Sequence, residues 1–543
     1  MEADCSVASD IQRVPYGEIA GFSDLFVDYT ASREEAVRFY GGGFDRETLL
    51  ARARETAAAP HADREALVQI LRDQHRLWGD DPSALANIEK LADPEAAAIV
   101  TGQQVGLFGG PAYSVLKAMT SVLLARELEA ASGRPFVPVF WLGSEDHDFE
   151  EMATAHVPGG SFTYPKPPVD NTGPVGALTF GPEINELVDA LEAALPGTDF
   201  RGQVMGAVRN CYREGETFRD GFARLMRMLL PGTGLVIFAQ DDPRVKRLAT
   251  PLWRKEIRDS AGSDAALRSA TEHIAREYHA QVHIRPSNLF MIHEGQRLPL
   301  DVDDGRFHLR GTDQSWSASD LEALLDAEPE RFSPNVVTRP LTQDWLFPTA
   351  AYVGGPGETA YFGQYRGVYA WADLVMPVIF PRVSLTFIEP GIRRSLDKLG
   401  EPPARFSKDA DKLFAEIARE RLEVDVEGTF GRTIGEVNKL IGPLAPVATA
   451  VDPSLKKSVD ATRAAMQKEL IRLKERVLKA DRRNHDQLRA QVEKVADGLF
   501  PMGKPQERVL SPLYFTTKYG MDFYVCLMDR LDTDTRSHLL VDL

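Results

Sequence analysis

Cysteine is scarce in this sequence and long apolar runs are missing, and both absences restrict its class. Cys5, Cys211 and Cys526 are odd in number and lie far apart along 543 residues. This argues against a disulfide framework or a cysteine-based zinc site and is typical of a reducing compartment. No run of about 18 apolar residues occurs, so no membrane-spanning helix is expected. The acidic start, Met1-Glu2-Ala3-Asp4, leads into no apolar segment, which predicts a cytoplasmic protein without a signal peptide.

Basic residues are also fewer than acidic residues. The 63 Lys and Arg residues stand against 80 Asp and Glu residues, which gives a net charge of −17. Such a surface repels nucleic acid unless a basic patch is segregated from it, so we expect no nucleic-acid partner. Small anionic substrates remain compatible, because a cleft can carry its own positive charge. At about 150 residues per domain, the length predicts three or four structural units.

The stretch from residue 96 to residue 143 has the pattern of an α/β fold. A short apolar run over 96–100 is followed by a glycine-punctuated loop, a helix over about 112–131 and a second apolar run over 136–143. Strand, loop, helix and strand open a doubly wound parallel sheet, in which ligands bind at the carboxyl edge of the strands. Apolar runs over 235–239 and 375–380 predict two further strands of this sheet.

Two insertions interrupt the predicted sheet. The first is rich in Pro and Gly, is predicted to start as a β-hairpin over about 158–180, and continues as helices. The second alternates like a small antiparallel sheet. The predicted divisions are 1–157, a helical N-terminal region (to about residue 93) with the first half of the core; 158–234, the first insertion; 235–280, core; 281–332, the second insertion; 333–390, the second half of the core; 391–510, a helical arm; and 511–543, a C-terminal segment on the core.

Apolar residues recur at steps of three or four along a charged segment of the arm. These residues are Met466, Leu470, Leu473, Val477, Ala480, Leu488, Val492, Val495 and Leu499, with Asn484 on the same seam. This is a coiled-coil pattern, in which a polar seam residue fixes the register. An unpaired seam would expose a long apolar stripe, so the helix must pair with a helix over about 409–440 or with a second copy. We expect the arm to form a homodimer.

The first candidate site is the loop over 101–110. Its glycines would let backbone N–H groups point at an anion, and the helix starting at Pro111 would offer its positive end. Gln103 and Gln104 carry amides that bind carboxylates or hydroxyls. The spacing matches neither the dinucleotide nor the Walker A fingerprint. The alternative interpretation is a simple turn between strand and helix.

Two further candidates follow other predicted strands. Asp146 and His147 come directly after a buried strand, where a carboxylate and an imidazole transfer protons. The alternative is an acidic helix start. Glu358 follows a glycine turn and would bind an ammonium or hydroxyl group, or merely stabilise a helix start. No second ligand lies at metal spacing from His147, so no metal site is predicted.

Longer segments resemble one bacterial family. They are the runs over 101–117, 140–151, 281–290, 333–340, 352–361 and 505–509. Together they resemble the BshC family of bacillithiol biosynthesis, cysteine ligases that add cysteine to glucosaminyl-malate. The resemblance implies a Rossmann-like core similar to that of class I aminoacyl-tRNA synthetases, with two connective insertions and a C-terminal α-helical coiled-coil domain.

Both synthetase signatures are degenerate in this sequence. Gly109, Gly110 and Tyr113 occupy the place of the His-Ile-Gly-His motif, and Arg382 follows the last core strand, where the Lys-Met-Ser-Lys-Ser loop would lie. The resemblance implies substrate binding by these residues, with Arg382 offsetting malate or phosphate charge. It also implies a second pocket that binds ADP, to which Gln506 and Arg508 would contribute.

The sequence as a whole predicts a carbon–nitrogen ligase for cysteine and glucosaminyl-malate. Asp146 or His147 would transfer the proton, and the amides of the glycine loop with Gln103 and Gln104 would hold substrate oxygens. ATP or ADP is the expected nucleotide, with ATP as the default activator. Two alternatives stay open. One is an aminoacyl-transfer enzyme using a carrier such as charged tRNA, favoured by twelve Lys and Arg against seven Asp and Glu over 453–497. The other is a coiled-coil scaffold without catalysis.

Overall fold

The computed structural model describes residues 10–167, 173–281, 287–407, 409–422 and 425–543. The chain forms two compact units, Met1–Phe387 with Lys504–Leu543, and Ile388–Gly503. The strands are β1 Asp10–Pro15, β2 Ala97–Gln104, β3 Phe136–Gly143, β4 Thr154–Val157, β5 Gly160–Thr163, β6 Val236–Ala239, β7 Leu289–His293, β8 Gln296–Asp303, β9 Arg306–Leu309, β10 Ser315–Ser317, β11 Phe332–Pro334, β12 Thr349–Gly354, β13 Val378–Pro381, β14 Leu385–Ile388 and β15 Ser537–Asp542.

Helices occupy most of the remaining chain. They are α1 Asp24–Thr30, α2 Glu34–Val37, α3 Arg46–Ala58, α4 Arg64–Trp78, α5 Pro82–Lys90, α6 Tyr113–Ser132, α7 Phe149–Met152, α8 Glu183–Ala194, α9 Arg201–Cys211, α10 Phe218–Leu229, α11 Pro243–Arg258, α12 Ser260–Ile274, α13 Ala318–Ala327, α14 Thr338–Leu346, α15 Pro356–Phe362, α16 Arg366–Trp371, α17 Pro390–Leu399, α18 Ala410–Leu422, α19 Val426–Ile441, α20 Leu444–Val451, α21 Lys456–Leu499, α22 Pro512–Tyr519 and α23 Phe523–Met528.

A five-stranded parallel sheet in the order β13-β12-β2-β3-β6 is the centre of the first unit. Its strands are apolar and buried on both faces, as expected for a parallel sheet covered by helices. Phe140 and Leu142 of β3 pack in one core with α6 and α10, whereas Val139 and Trp141 pack in another with α4. The doubly wound, Rossmann-like fold class predicted from the sequence is confirmed.

The connection from β2 to α6 differs from the predicted one. β2 continues to Gln104, four residues past the predicted end, and α6 begins at Tyr113 rather than at Pro111. The helix ends at Gly133, whose φ of 70° and N–H bond to the Glu129 carbonyl are typical of a left-handed C-cap. Gln103 and Gln104 therefore lie on a strand end, where the sheet fixes their position.

The two insertions have the expected secondary structure at shifted positions. The second forms an antiparallel sheet in the order β10-β9-β8-β7-β11. In the first, the hairpin β4–β5 starts at Thr154 and ends at Thr163, earlier than predicted. Residues 168–172 of the predicted hairpin and 282–286 of the second insertion lie outside the described residues.

A three-stranded sheet joins the two ends of the first unit. β1 and β15 pair antiparallel from Asp10 with Asp542 to Pro15 with Ser537, and β14 flanks β15. The helical interpretation of the N-terminal region is wrong for β1, because the partner strand lies more than 500 residues away and leaves no local signal. α1 to α5 account for much of the rest of that region.

The second unit is built around the 44-residue helix α21, and α18, α19 and α20 pack along it. Of the predicted seam, Leu488 to Leu499 is buried at its apolar positions, and Asn484 is exposed. Met466 and Leu473 are 49% and 45% exposed. The seam thus pairs within the chain at one end, while its other end leaves apolar side chains uncovered.

The two described cysteines differ in state. Cys211 is a free, buried thiol, whereas Cys526 is disulfide-bonded. The spacing of the cysteines argued against a disulfide framework, but distance along the chain does not limit which cysteines meet. Cytoplasmic location stays a prediction. None of the helices in the described part of the chain combines the length and apolarity needed to cross a membrane.

Candidate active site

A cleft of about 520 Å³ lies at the carboxyl edge of the central sheet. It adjoins the ends of four neighbouring strands, at Gln104, Gly143, Gly354 and Pro381. The pairing register puts Gln104 opposite Gly143 and Gly354 opposite Pro381. Polar side chains that follow these strands therefore converge, as expected at the carboxyl edge of an α/β sheet.

Most of the predicted site residues line this cleft. They are Gln103, Gln104, Tyr113, Asp146, His147, Glu358, Arg382 and Arg508. Three other predicted residues are not part of the lining in the described structure, namely Gly109, Gly110 and Gln506. The contacts of these three explain their exclusion.

The glycine loop is a packing turn. The N–H groups of Gly106, Gly109 and Gly110 donate to carbonyl groups of the loop itself and its approach, and Gly109 also donates to the Tyr212 hydroxyl at 3.2 Å. Gly109 has a φ of 86°, and a Cβ on it would lie 3.0 Å from the side chain of Pro512. The prediction that these three amides hold substrate oxygens is wrong, because the chain's own oxygens accept their protons.

Gln506 is likewise used inside the protein. Its Oε1 accepts from the Phe387 N–H at 2.9 Å and its Nε2 donates to the Phe387 carbonyl at 3.1 Å. This pair of bonds fixes the segment after residue 504 to β14. The side-chain amide of Gln506, which was predicted to contact a nucleotide, is therefore already hydrogen-bonded within the protein. Arg508, two residues further on, is exposed and lines the cleft.

Two carboxylates of the cleft share one amide, and we call Asp146 and Glu151 the carboxylate wall. The Gln104 Nε2 group donates to Asp146 Oδ2 and to Glu151 Oε2, both at 2.8 Å. Asp146 Oδ1 accepts the backbone N–H of His147 at 2.7 Å. Burial raises the pKa of Glu151. The carboxylates are thus held close together in a fixed geometry, which favours a cationic or amine group beside them.

His147 is held in place through its Nδ1 atom, which also lies 3.7 Å from Asp146 Oδ1. Its Nδ1 lies 3.0 Å from Nη1 of Arg297. Because guanidinium groups only donate, Nδ1 accepts this bond and the ring proton lies on Nε2. Arg297 is fixed in turn by Ser333 Oγ at 2.9 Å and by the Pro334 carbonyl at 2.7 Å. The contacts are compatible with Asp146 as a proton acceptor and His147 as a donor, and both roles stay predictions.

Lys117 and Glu358 form an ion pair at the cleft. Lys117 Nζ also donates to Gln103 Oε1 at 3.0 Å, and Glu358 also accepts from the Tyr352 hydroxyl at 2.6 Å and the Gly355 N–H at 2.8 Å. Burial lowers the pKa of Lys117. Although burial opposes it, the Lys117 ammonium lowers the pKa of Glu358. The ammonium partner predicted for Glu358 is thus supplied by the protein itself.

A second ion pair, Glu145 with Lys246, borders the cleft, and each side chain is only 2% exposed. Ser333 Oγ donates to Glu145 at 2.9 Å, and Lys246 donates to the Phe332 carbonyl at 2.7 Å. These bonds connect β11 of the second insertion to the end of β3. The pair therefore positions the strand end that carries Asp146.

Arg382 follows β13 and is held by Glu507 through two bonds, at 2.9 and 2.6 Å. Ser384 Oγ and the Leu385 N–H also donate to Glu507, at 2.7 and 2.8 Å. The Arg382 guanidinium lies 5.7 Å from the ring centre of Tyr113, whose pKa burial raises to about 12. The charge predicted to offset malate or phosphate already has a carboxylate partner.

Sequence reasoning missed several charged residues of the cleft. Lys117 and Arg339 lie within segments that carry the family resemblance, over 101–117 and 333–340, so a signal existed for both. Arg297 and Lys246 lie outside those segments, and only the folded chain brings them to the site. In the described ranges, no group of three His, Cys, Asp or Glu side chains could hold a metal ion.

The architecture defines a Rossmann-like domain followed by a coiled-coil domain. The family model described as "Bacillithiol biosynthesis BshC, N-terminal Rossmann-like domain" matches residues 10–383. The model described as "Bacillithiol biosynthesis BshC, C-terminal coiled-coil domain" matches residues 385–543. The chain belongs to the bacillithiol biosynthesis BshC family.

Curated relatives match over nearly the full length. A protein of Salinibacter ruber named "Putative cysteine ligase BshC" is 44% identical over 535 residues, covering 97% of this chain and 98% of the relative. A protein of Chlorobaculum tepidum with the same name is 34% identical over 549 residues, covering 96% and 97%. A solved structure titled as a putative arginyl-tRNA synthetase from Campylobacter jejuni is 12% identical, covers 83% of this chain and 98% of that chain, and has a TM-score of 0.17, too low to indicate a shared fold.

Proposed function

We propose that this chain is a carbon–nitrogen ligase that joins the carboxyl group of cysteine to the amine of glucosaminyl-malate. Membership of a family whose curated relatives are named cysteine ligases supports the reaction class. The observation that carries the proposal is the carboxylate wall at the carboxyl edge of the sheet, beside the His147 donor. Amide formation needs a base for the amine and a donor for the carbonyl oxygen, and both are present there.

Asp146 is the proposed base. The amine enters as an ammonium group, loses a proton to the Asp146 carboxylate, and its nitrogen attacks the activated carbonyl carbon. The carbon–nitrogen bond forms as the bond to the leaving oxygen breaks, and the second proton of the nitrogen leaves with that oxygen. Gln104 and the His147 N–H hold the carboxylate in place during this step. His147 would donate from Nε2 to the carbonyl oxygen as negative charge develops on it.

Glu358 and Arg382 shape the cleft in this proposal. Each has an ion-pair partner in the chain, Lys117 and Glu507. Gln103, whose Nε2 lies 3.3 Å from the Tyr113 hydroxyl, and Tyr113 itself present polar groups to the substrate. The cysteine and glucosaminyl-malate substrates would thus meet between this polar surface and the carboxylate wall.

Activation of the cysteine carboxyl is assigned to ATP, which would supply a better leaving group than hydroxide. The glycine loop does not fit a phosphate, since its amides at Gly106, Gly109 and Gly110 are engaged. Arg508 fits one better, because it is exposed and lines the cleft. Arg508 is therefore the proposed nucleotide contact, whereas the amide of Gln506 is already bonded to Phe387.

Aminoacyl transfer from a carrier such as charged tRNA is the second candidate. The local excess of Lys and Arg over 453–497 favours it. The test incubates the full-length protein with glucosaminyl-malate and cysteine plus ATP, or with glucosaminyl-malate and cysteinyl-tRNA, and detects the thiol product by mass spectrometry. Product only with ATP supports the ligase, and product only with cysteinyl-tRNA supports the carrier route. An inactive protein in both would indicate a scaffold.

Assembly is part of the proposal. Met466, Ile471 and Leu473 of α21 are 45–49% exposed in the single chain. Apolar side chains repeated along one helix favour burial against a second helix. We infer a homodimer formed through the arm, as the coiled-coil pattern predicts.

A further inference from the structure

Arg339 is a cation of the cleft without a carboxylate partner. It is the second residue of α14 and lines the cleft. Nη1 donates to Gln343 Oε1 at 3.2 Å. Nη2 is buried and has no hydrogen-bond partner, and no carboxylate lies within 4.0 Å of the guanidinium in the part of the chain that the structure describes. The contact with Gln343 involves a neutral group, and the guanidinium carbon lies 5.4 Å from the ring centre of Tyr352, so among the described residues no carboxylate neutralises the charge of Arg339 by direct contact.

The nearest carboxylates are occupied. Glu358 is bound by Lys117, Tyr352 and Gly355. Asp344, on the same helix as Arg339, accepts from the Tyr369 hydroxyl at 2.5 Å and from Gln343 at 2.8 Å. A buried guanidinium with an unused N–H group is costly unless something else pairs with it. An anion that enters the cleft would supply that partner.

The surroundings of Arg339 favour a carboxylate over a phosphate. A guanidinium edge by itself matches two oxygens of either group. Phosphates at α/β sheet edges are instead held by backbone N–H groups of a glycine loop. Here the amides of Gly106, Gly109 and Gly110 are engaged elsewhere, so Arg339 has no such loop beside it to complete a phosphate site.

The cleft is also polarised. Asp146 and Glu151 form a carboxylate wall that favours an amine, while Arg339 favours an anion. A volume of about 520 Å³ lies in the range for a small organic ligand. A substrate that carries both an amine and a carboxylate would be oriented by these two features.

We propose that Arg339 is a binding residue for a substrate carboxylate and that it orients the ligand opposite the carboxylate wall. The inference rests on the proposed function, because that function supplies the two candidate carboxylates. One is the malate end of the acceptor and the other is the carboxyl group of cysteine. The chemistry of recognition is the same for both, so the test separates them.

The test compares the full-length protein with its Arg339→Gln variant, and with Arg366→Gln as a control at an exposed arginine outside the cleft. Thermal shift and calorimetric titrations use L-malate, L-cysteine and inorganic phosphate separately. We expect Arg339→Gln to weaken binding of L-malate or L-cysteine at least ten-fold and the control to leave it unchanged. Loss of malate binding assigns the subsite to the acceptor, and loss of cysteine binding assigns it to the donor.

The ligand-free melting temperature provides a second readout. Arg339 is half-buried and its Nη2 group is buried without a hydrogen bond, so Arg339→Gln should leave the melting temperature equal to or above that of the wild type, whereas loss of a purely structural residue would lower it. If Arg339→Gln does not fold, Arg339→Lys keeps the charge but not the planar edge and should weaken binding at least three-fold.

The inference is overturned if the variants bind both carboxylates as the wild type does, if neither carboxylate binds the wild type, or if only phosphate binding is lost. These titrations do not involve turnover. If the protein binds malate through Arg339 but forms no product, the proposed function is refuted and the subsite is supported. If the protein is active and Arg339→Gln binds the carboxylates as the wild type does, the subsite is refuted and the proposed function is supported.

Discussion

The guanidinium of Arg382 and the carboxylate of Glu507 form a two-bond ion pair across 125 residues of sequence, with each side chain only 2% exposed. Glu507 accepts two further bonds, from Ser384 and Leu385, so all four donors converge on one carboxylate. His538 completes the cluster through Ser384 and Thr386, at 2.9 and 3.0 Å. One carboxylate thus connects the strand that borders the cleft with the C-terminal segment.

Glu507→Gln should destabilise the protein by about 3–5 kcal/mol, because it leaves the Arg382 charge buried without its partner. Chemical denaturation of the full chain measures this. The matched control is Glu436→Gln, which removes an exposed partner of Lys439 and should cost less than about 1 kcal/mol. Equal stability of the two variants would show that the buried pair is not needed for folding.

Asp146→Asn should lower turnover by about 100 to 10,000-fold with little change in melting temperature. The asparagine oxygen can still accept the His147 N–H, so the local backbone is retained while the base is lost. Asp148→Asn is the control, because Asp148 caps α7 and is not part of the cleft lining. An active Asp146→Asn enzyme would exclude Asp146 as the base.

His147 provides a separate test of its role. His147→Ala should reduce turnover strongly, whereas His147→Gln, which keeps an N–H donor near the position of Nε2, should retain more activity than the alanine variant. This follows if Nδ1 accepts the bond from Arg297 and the ring proton lies on Nε2, as the contact favours. If both variants are equally inactive at unchanged stability, the imidazole acts as a base and the donor assignment is wrong.

Glu256 predicts a pH dependence of stability. Burial raises its pKa to about 7 from an ordinary value of 4.5, and its Oε2 has no hydrogen-bond partner among the described residues. The folded state therefore binds more protons than the unfolded state between these two values. The contribution of Glu256 to the free energy of unfolding is fully present below pH 4.5 and is lost as pH rises through about 7. The total loss is about 3 kcal/mol.

Glu256→Gln should remove this contribution, so urea denaturation at pH 5 and pH 8 should differ less in the variant than in the wild type. Glu330→Gln, at an exposed carboxylate, is the control and should keep the wild-type difference. A wild-type difference that persists unchanged in Glu256→Gln would show that another group is responsible.

The arm predicts a dimer in solution. Light scattering at micromolar concentration should give twice the chain mass for the wild type. Leu473→Glu places a charge among the exposed apolar residues of α21 and should shift the protein to monomer. Lys468→Glu, off the seam on the same helix, should leave the dimer intact. A monomeric wild type would contradict the assembly proposal.

The parallel core was predictable from sequence because its strands are contiguous apolar runs with glycine turns between them. Asp146 and Glu358 could be placed near the edge for the same reason, since each directly follows such a run. The glycine loop was misread, because its amides are engaged by carbonyl groups that only the folded turn brings within reach.

Long-range partners could not be predicted. Nothing near Glu145 in the sequence indicates Lys246, and nothing near Arg382 indicates Glu507, because a single charged residue carries no information about a distant partner. The prediction for the segment that forms β1 was wrong for a similar reason. Six residues have too weak a local preference to be recognised when their pairing partner is remote.

The pairing of β1 with β15 has a consequence for how the chain is made. During synthesis β1 leaves the ribosome first, and its partner follows more than 500 residues later. At roughly 5–20 residues per second, this leaves the edge of β1 without its partner for about 25–100 seconds. The three-stranded sheet is therefore a late-closing element, and its backbone groups depend on water or chaperones until the last strand emerges.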